Sequence, residues 1–137
     1  MQYVITPATQ GVCPTGWHIP TDVEWMTMEE ALGMCTGAGA GCSGATGWRG
    51  TTQGDRLKRA YDCFGGDFCG ISGFEALLAG NRGTDGLFYV SGSFTYLWSS
   101  TESVTNAWNR ILHVSEARVV RSANSKFVGF SVRCVKD

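Results

Sequence analysis

Each end of the chain carries a cysteine inside an aromatic motif: Gly11-Val12-Cys13-Pro14-Thr15-Gly16-Trp17-His18-Ile19-Pro20 near the start and Gly129-Phe130-Ser131-Val132-Arg133-Cys134-Val135 near the finish. A bond between Cys13 and Cys134 brings the two ends to one pole. The intervening loops are then left to build a surface elsewhere, which is where binding residues usually sit. Loop length singles out one pairing of the six cysteines. Cys35 and Cys42 bracket Thr-Gly-Ala-Gly-Ala-Gly, and Cys63 and Cys69 bracket Phe-Gly-Gly-Asp-Phe, two short loops that close at small entropic cost, so Cys13 and Cys134 remain for each other. In the chain-entropy model the long loop contributes about 4 to 5 kcal/mol and each short one about 2 to 3. Zinc is the competing reading, but the chain has no Cys-x-x-Cys pair, and neither histidine stands at ligand spacing from a pair of cysteines.

The length of 137 residues suits one domain over 1–137 with one core. A hydrophobic share of 43% predicts a globular chain, and 19 Gly against 3 Pro predict many turns. The net charge of -1 supplies no field for nucleic-acid phosphates. Asp22, Glu24, Glu29 and Glu30 make the first third acidic, whereas Arg110, Arg118, Arg121, Lys126, Arg133 and Lys136 make the last third basic. Pairing between the two regions is the simplest use of that asymmetry. No apolar run is long enough to span a bilayer, and no signal-peptide pattern follows Met1. With six cysteines in a small turn-rich chain, the expectation is a disulfide-bonded, extracellular or cell-surface domain excised from a larger secreted protein.

Thr21-Asp22-Val23-Glu24 after Pro20 reads as a capping box, and apolar residues at helical spacing predict a helix over 22–33. The glycine-rich run Gly37–Gly47 reads as a loop, and Gly54–Tyr61 as a short helix or strand. From Gly73 onward the texture is β: strands are predicted over 74–78, 87–90, 96–100, 107–114, 118–121 and 128–135. The class is therefore α+β, one or two helices packed on small twisted antiparallel sheets.

Several blocks, in order, resemble the Fibrobacter succinogenes major paralogous domain family. They are Cys13 to Trp25, Gly73-Phe74-Glu75-Ala76-Leu77-Leu78-Ala79-Gly80-Asn81-Arg82, Trp98-Ser99-Ser100-Thr101-Glu102, Ala107-Trp108-Asn109-Arg110 and Gly129 to Cys134. The resemblance is strongest at the termini and weakest between Gly33 and Ile71. It implies a C-type-lectin-like fold, related to formylglycine-generating enzymes and to the variable proteins of diversity-generating retroelements. It also implies the pairing of the outer cysteines.

The residues that an enzyme would need do not form a pattern. His18, between Trp17 and Ile19, reads as a buried hydrogen-bonding histidine. His113 has no Ser, Cys or Asp partner identifiable by spacing, and pairing of all six cysteines leaves no thiolate, so the chain is read as not an enzyme, with no cofactor. A calcium-dependent sugar lectin is the second reading, and Arg110 argues against it. In Trp108-Asn109-Arg110 a guanidinium stands where the resembled lectins place an oxygen ligand, and their second triplet is absent. Asp62, Asp67 and Asp85 remain as candidates for a calcium site in loops, with solvated turns as the simpler explanation.

A ligand-binding module is the third reading. Alternation places Trp108, Arg110, Leu112 and Val114 on one face of a strand and Asn109, Ile111 and His113 on the other. The resemblance implies that the first set points inward. Asn109, Ile111, His113 and Ser115 are then expected on the outside, with Tyr96, Val120, Ser122, Ala123, Asn124, Phe127 and Val128 nearby as an apolar patch of the kind that marks binding sites. Adenine-directed mutation of an Asn codon never yields Lys, Glu, Gln, Met or Trp, and none of these positions carries one. The expected function is thus a binding or display module for a protein or glycan ligand, with retroelement diversification of this face as its sharper form. No nucleic-acid partner and no membrane insertion are expected. The alternatives are a subunit or tip of a bacterial surface fibre that self-assembles through the same face, and a carbohydrate-binding lectin-like module.

Overall fold

The computed structural model describes residues 11–63 and 66–137. The Met1 end and Phe64-Gly65 of the second glycine loop lie outside them. The described residues form an α+β fold: β1(Trp17–His18), α1(Asp22–Ala31), β2(Gly47–Arg49), α2(Gln53–Leu57), β3(Asn81–Arg82), β4(Phe88–Tyr89), β5(Phe94–Ser103), β6(Asn106–His113), β7(Glu116–Ser125) and β8(Val135–Lys136), with a 3-10 turn at Ala60–Asp62.

α1 begins where the sequence places it. Thr21 Oγ1 accepts from the Glu24 amide at 3.2 Å, and Glu24 Oε2 accepts from the Thr21 amide at 2.7 Å, so both halves of the capping box are present. The helix ends at Ala31, short of the 33 expected, because Gly33 takes φ +91° and starts a Schellman closure. The Gly33 amide then bonds Glu30 O at 2.8 Å and the Met34 amide bonds Glu29 O at 3.1 Å.

The main sheet is antiparallel in the order β2-β7-β6-β5, and β1-β8 and β3-β4 are separate two-stranded ladders. The pairing of β1 with β8 and the Cys13–Cys134 bond join the chain ends, as expected. Cys35–Cys42 and Cys63–Cys69 are paired as well, so all three bonds are those that loop length favoured. Among the described residues no helix is long and apolar enough to cross a membrane.

Three expectations are corrected. Residues 74–78 form no strand: Ala76 and Leu78 are buried and Leu77 is exposed, so the alternation is there, but the backbone finds a single bridge, Ala76 with Lys58. Residues 128–135 are likewise extended but mostly unladdered, touching Arg82 through Gly129 and Leu97 through Ser131 before β8. Conversely, Gly47–Arg49, at the end of the glycine loop, is a strand because β7 offers it an edge, Trp48 opposite Val120.

The helices cover one face of the main sheet. Leu112 and Val119 from the sheet meet Met34, Leu57 and Ala76 there, with Met28, Leu32 and Phe74 at the margin. α2 lies so close to β7 that a Cβ on Gly54 would fall 2.2 Å from Arg118 O, a contact that only glycine permits. Lys58, at the end of α2, is fully buried. Its ammonium donates to His113 O (2.7 Å), Val114 O (3.3 Å) and Glu116 O (3.0 Å) and pairs with Asp55 (2.8 Å), which fixes the β6–β7 hairpin to the helix.

Candidate functional site

Strand parity divides the sheet as the sequence predicts for Arg110 and Leu112, both wholly buried on the helix side. Charge dominates that side. Arg110 reaches Asp22 (2.7 Å) and Glu29 (2.6 Å), Arg49 reaches Glu29 through both terminal nitrogens (2.9 Å each), and Arg121 holds Asp22 (2.6 Å). Burial pushes the Asp22 carboxyl up, but the bonds and charges of Arg121 and Arg110 outweigh it and hold the group below its usual range. The acidic and basic thirds therefore pair through buried ions. Three cations against two anions leave an excess of positive charge. Backbone oxygens of Ser43, Gly44 and Asp22 accept from it, and the Trp108 ring lies 3.6 Å from the Arg121 guanidinium carbon.

The opposite face carries several of the residues expected there. Register places Tyr96, Ile111, Val120 and Trp48 in one row across β5, β6, β7 and β2. All four keep partial exposure. A polar cluster lies beside it: Asn109 Nδ2 donates to Asn124 Oδ1 at 3.2 Å, and Ser122 Oγ donates to the same oxygen at 3.1 Å. On the β5 side Phe130 stacks on Tyr96 (4.7 Å) and Trp98 (4.3 Å), and Phe94 continues the run between Tyr96 (6.0 Å) and His113 (4.3 Å). Burial in this run raises the Tyr96 hydroxyl pKa.

The structure does not gather every expected residue. Asn109 is corrected from exposed to wholly buried: it lies between Trp98 and Ser122 in its row, and Phe130 covers Trp98. His113 and Ser115, joined by a 3.1 Å contact, sit at one end of the sheet. Phe127, 88% exposed, and Val128 follow β7 at the other end, about 20 Å or more away at the rise of a strand. Two residues escaped the sequence reading. Trp48 belongs to a strand that a glycine-rich stretch concealed. Val104, at the tip of the β5–β6 hairpin, is 93% exposed with φ +56°, a conformation that β-branched residues rarely adopt. Its position at a turn was readable, but its strain was not.

Beyond Phe130 the face runs into a groove of about 320 Å3 between the β3–β4 hairpin and Gly129–Ser131, walled by Phe88 and Phe130 and floored by Gly80, Asn81 and Arg82. Its volume is at the lower end of small-molecule pockets, which run from about 300 to 1,000 Å3. Leu87, Phe88, Tyr89 and Val90 leave the hairpin's apolar surface exposed beside it.

The histidines, the cysteines and two of the loop carboxylates have partners within the fold. His18 bonds two carboxylates and is partly buried, His113 packs on Phe94, and every cysteine is in a disulfide. Asp62 pairs with Arg59, and Asp85 accepts from the Tyr89 hydroxyl and the Leu87 amide. Among the described residues no group of three or more His, Cys, Asp or Glu is placed to hold a metal ion.

A family model described as the Fibrobacter succinogenes major domain matches residues 2–136. No curated protein and no solved structure gives a significant match.

Proposed function

The chain belongs to the Fibrobacter succinogenes major domain family, and from that premise we propose that it is a non-catalytic binding or display module of C-type-lectin-like fold. Its ligand face is the outer side of β5, β6 and β7. The observation that carries this is the partly exposed row Tyr96–Ile111–Val120–Trp48 lying beside the polar pair Ser122–Asn124, which buried Asn109 holds from beneath. Apolar anchors next to fixed donors and acceptors, on a rigid sheet, are what a recognition surface needs. The ligand is a protein or glycan on another surface. The C-type-lectin-like reading draws support from the paired, disulfide-joined termini and from the irregular connections between α2 and β5. An extracellular or cell-surface location draws support from the three disulfides.

In its sharper form, the proposal makes Ile111, His113, Ser115, Val120, Ser122, Asn124, Phe127 and Val128 a retroelement-diversified set. A second reading, the tip or subunit of a surface fibre, is favoured by one observation: Val104 and Phe127, almost fully exposed, lie at the same end of the sheet, since Asn106 is opposite both Ser103 and Ser125.

The test is a combined glycan and protein array probed with the domain and with the Ile111→Ser/Val120→Ser variant, beside sedimentation over a range of concentrations. Loss of binding by a variant that still folds, with a modestly lowered melt, to a ligand that the parent binds is the expected result. Ligand binding unaffected by the variant removes the face from consideration. Concentration-dependent assembly lost with Phe127→Ser moves the function to the fibre.

A further inference from the structure

The two chain ends meet at β1 and β8, and one side chain stands between them and α1. His18 Nδ1 is 2.6 Å from Asp137 Oδ1, and its Nε2 is 2.9 Å from Glu24 Oε1. An ionised carboxylate only accepts hydrogen bonds, and a neutral imidazole has one N–H. Both contacts are therefore satisfied only by the imidazolium. Neither partner is loosely held. Glu24 Oε2 accepts from the Thr21 amide at 2.7 Å and from Thr21 Oγ1 at 2.9 Å, as part of the α1 cap. The Asp137 amide donates to Gly16 O at 3.0 Å, which continues the β1–β8 ladder. Immediately inside lies the cluster of Cys13, Ile19, Val132 and Cys134. The charged groups that bear on the ring are Glu24 from α1 and Asp137 beyond β8, and Lys136 precedes Asp137 opposite Trp17 in the ladder.

We propose that His18, Glu24 and Asp137 form a proton-operated clasp: with His18 charged it locks the chain ends together beside the Cys13–Cys134 bond, and with His18 neutral it releases the β1–β8 pair. The bonds to Asp137 and Glu24 outweigh burial and hold the His18 pKa above its usual 6.5. A group raised in the folded state contributes in full below its unfolded value and loses that contribution as pH rises through the folded value. For Glu24, burial is outweighed by the bonds from Thr21 and His18, and its pKa is lowered from 4.5, so its contribution is present above that value and lost as pH falls. The clasp is closed in mildly acid solution and opens as pH rises through the raised His18 value. Its partners are exposed enough, at 44% for Glu24 and 60% for Asp137, that the opening is local and leaves the main sheet intact.

The experiment follows the imidazole resonances of His18 and His113 by NMR from acid to alkaline pH in the intact oxidised domain. Alongside, amide exchange at Trp17, His18 and Val135 to Asp137 is measured and corrected for intrinsic rates. The expected result is a His18 midpoint above 6.5, with β1–β8 protection falling at the same midpoint while β6 keeps its own. Each unit by which the midpoint is raised corresponds to about tenfold in that protection. Asp137→Asn and Glu24→Gln keep an oxygen acceptor and remove the charge, and each should lower the midpoint. Should Glu24→Gln disturb α1 through the cap, Asp137→Asn decides, because Asp137 belongs to no cap. A midpoint at or below 6.5, or protection that ignores the titration of His18, overturns the clasp.

Discussion

Arg110 of β6 donates its Nε to Glu29 Oε1 of α1 across 2.6 Å, and neither side chain is accessible to solvent. The helix and sheet of this domain are thus joined by a desolvated ion pair where many α+β proteins use aliphatic contact. Removing one partner of such a pair leaves an uncompensated buried charge, at a cost of about 3 to 5 kcal/mol. Glu29→Gln strands Arg49 as well as Arg110, because both lean on that one carboxylate. Chemical denaturation should therefore show Glu29→Gln within that range, Arg110→Met at a smaller loss because Arg49 still pairs Glu29 and Arg121 still pairs Asp22, and the double variant well short of their sum. Additive losses would mean that the two residues are not coupled as the geometry requires.

Asp22 gives the same network a pH dependence. Its pKa is lowered, so it stabilises the fold above about pH 4 and stops doing so as pH falls through the folded value. Acid unfolding of the parent should steepen below about pH 4, whereas Asp22→Asn should be weaker at neutral pH and flatter in acid. Parallel acid limbs for the two proteins would contradict the assignment.

Lys58 is a buried cation outside the arginine network, and its role is to satisfy three carbonyls of one hairpin. Lys58→Met keeps the stem and removes the donors. The expected loss is about 2 to 3 kcal/mol, the scale on which buried acceptors left without partners are costly. Amide exchange should quicken first at Val114 to Glu116. A variant as stable as the parent would show that the hairpin does not need the ammonium.

Much of this was legible in the sequence because it depended on local chemistry. The Thr21–Glu24 box, the two short cysteine loops and the alternation of Trp108 to Leu112 all act over a few residues, and the structure contains each of them. The buried ions were half legible: the acidic and basic thirds suggested pairing, but nothing local said that Arg49 would join from the glycine-rich side. Alternation also misled where an extended segment lacked a neighbour. Residues 74–78 bury every second side chain without forming a strand, because the adjacent chain is the end of α2 and not a β-strand. Asn109 is on the face that alternation predicts but is buried, since Phe130, distant in the chain, closes over its neighbour Trp98.

Calcium should not change stability. Arg110 is committed to Asp22 and Glu29, Asp62 to Arg59, and Asp85 to Tyr89, so the acidic groups considered as ligands are largely engaged elsewhere. Thermal melts with calcium and with chelator should overlay. A rise of several degrees on adding calcium would reveal an oxygen-ligand site in the loops.

The outer face should separate stability from binding. Phe127 is 88% exposed, so Phe127→Ser removes little buried area and should cost under about 1 kcal/mol. Ile111 is half-buried between Tyr96 and Val120, and Ile111→Ser should cost more than that but less than a core truncation, about 1 to 2 kcal/mol. Trp108 lies on the helix side against Arg121, and Trp108→Ala both opens a cavity and uncovers a guanidinium paired with Asp22, for about 3 to 5 kcal/mol. Binding is expected to rank differently: Ile111→Ser and Val120→Ser should weaken the contact most, because they are at the centre of the row, while a Trp108→Ala protein that remains folded should still bind. If the melt collapses for Ile111→Ser and survives Trp108→Ala, the two faces of the sheet have exchanged roles and the proposed binding surface is the wrong one.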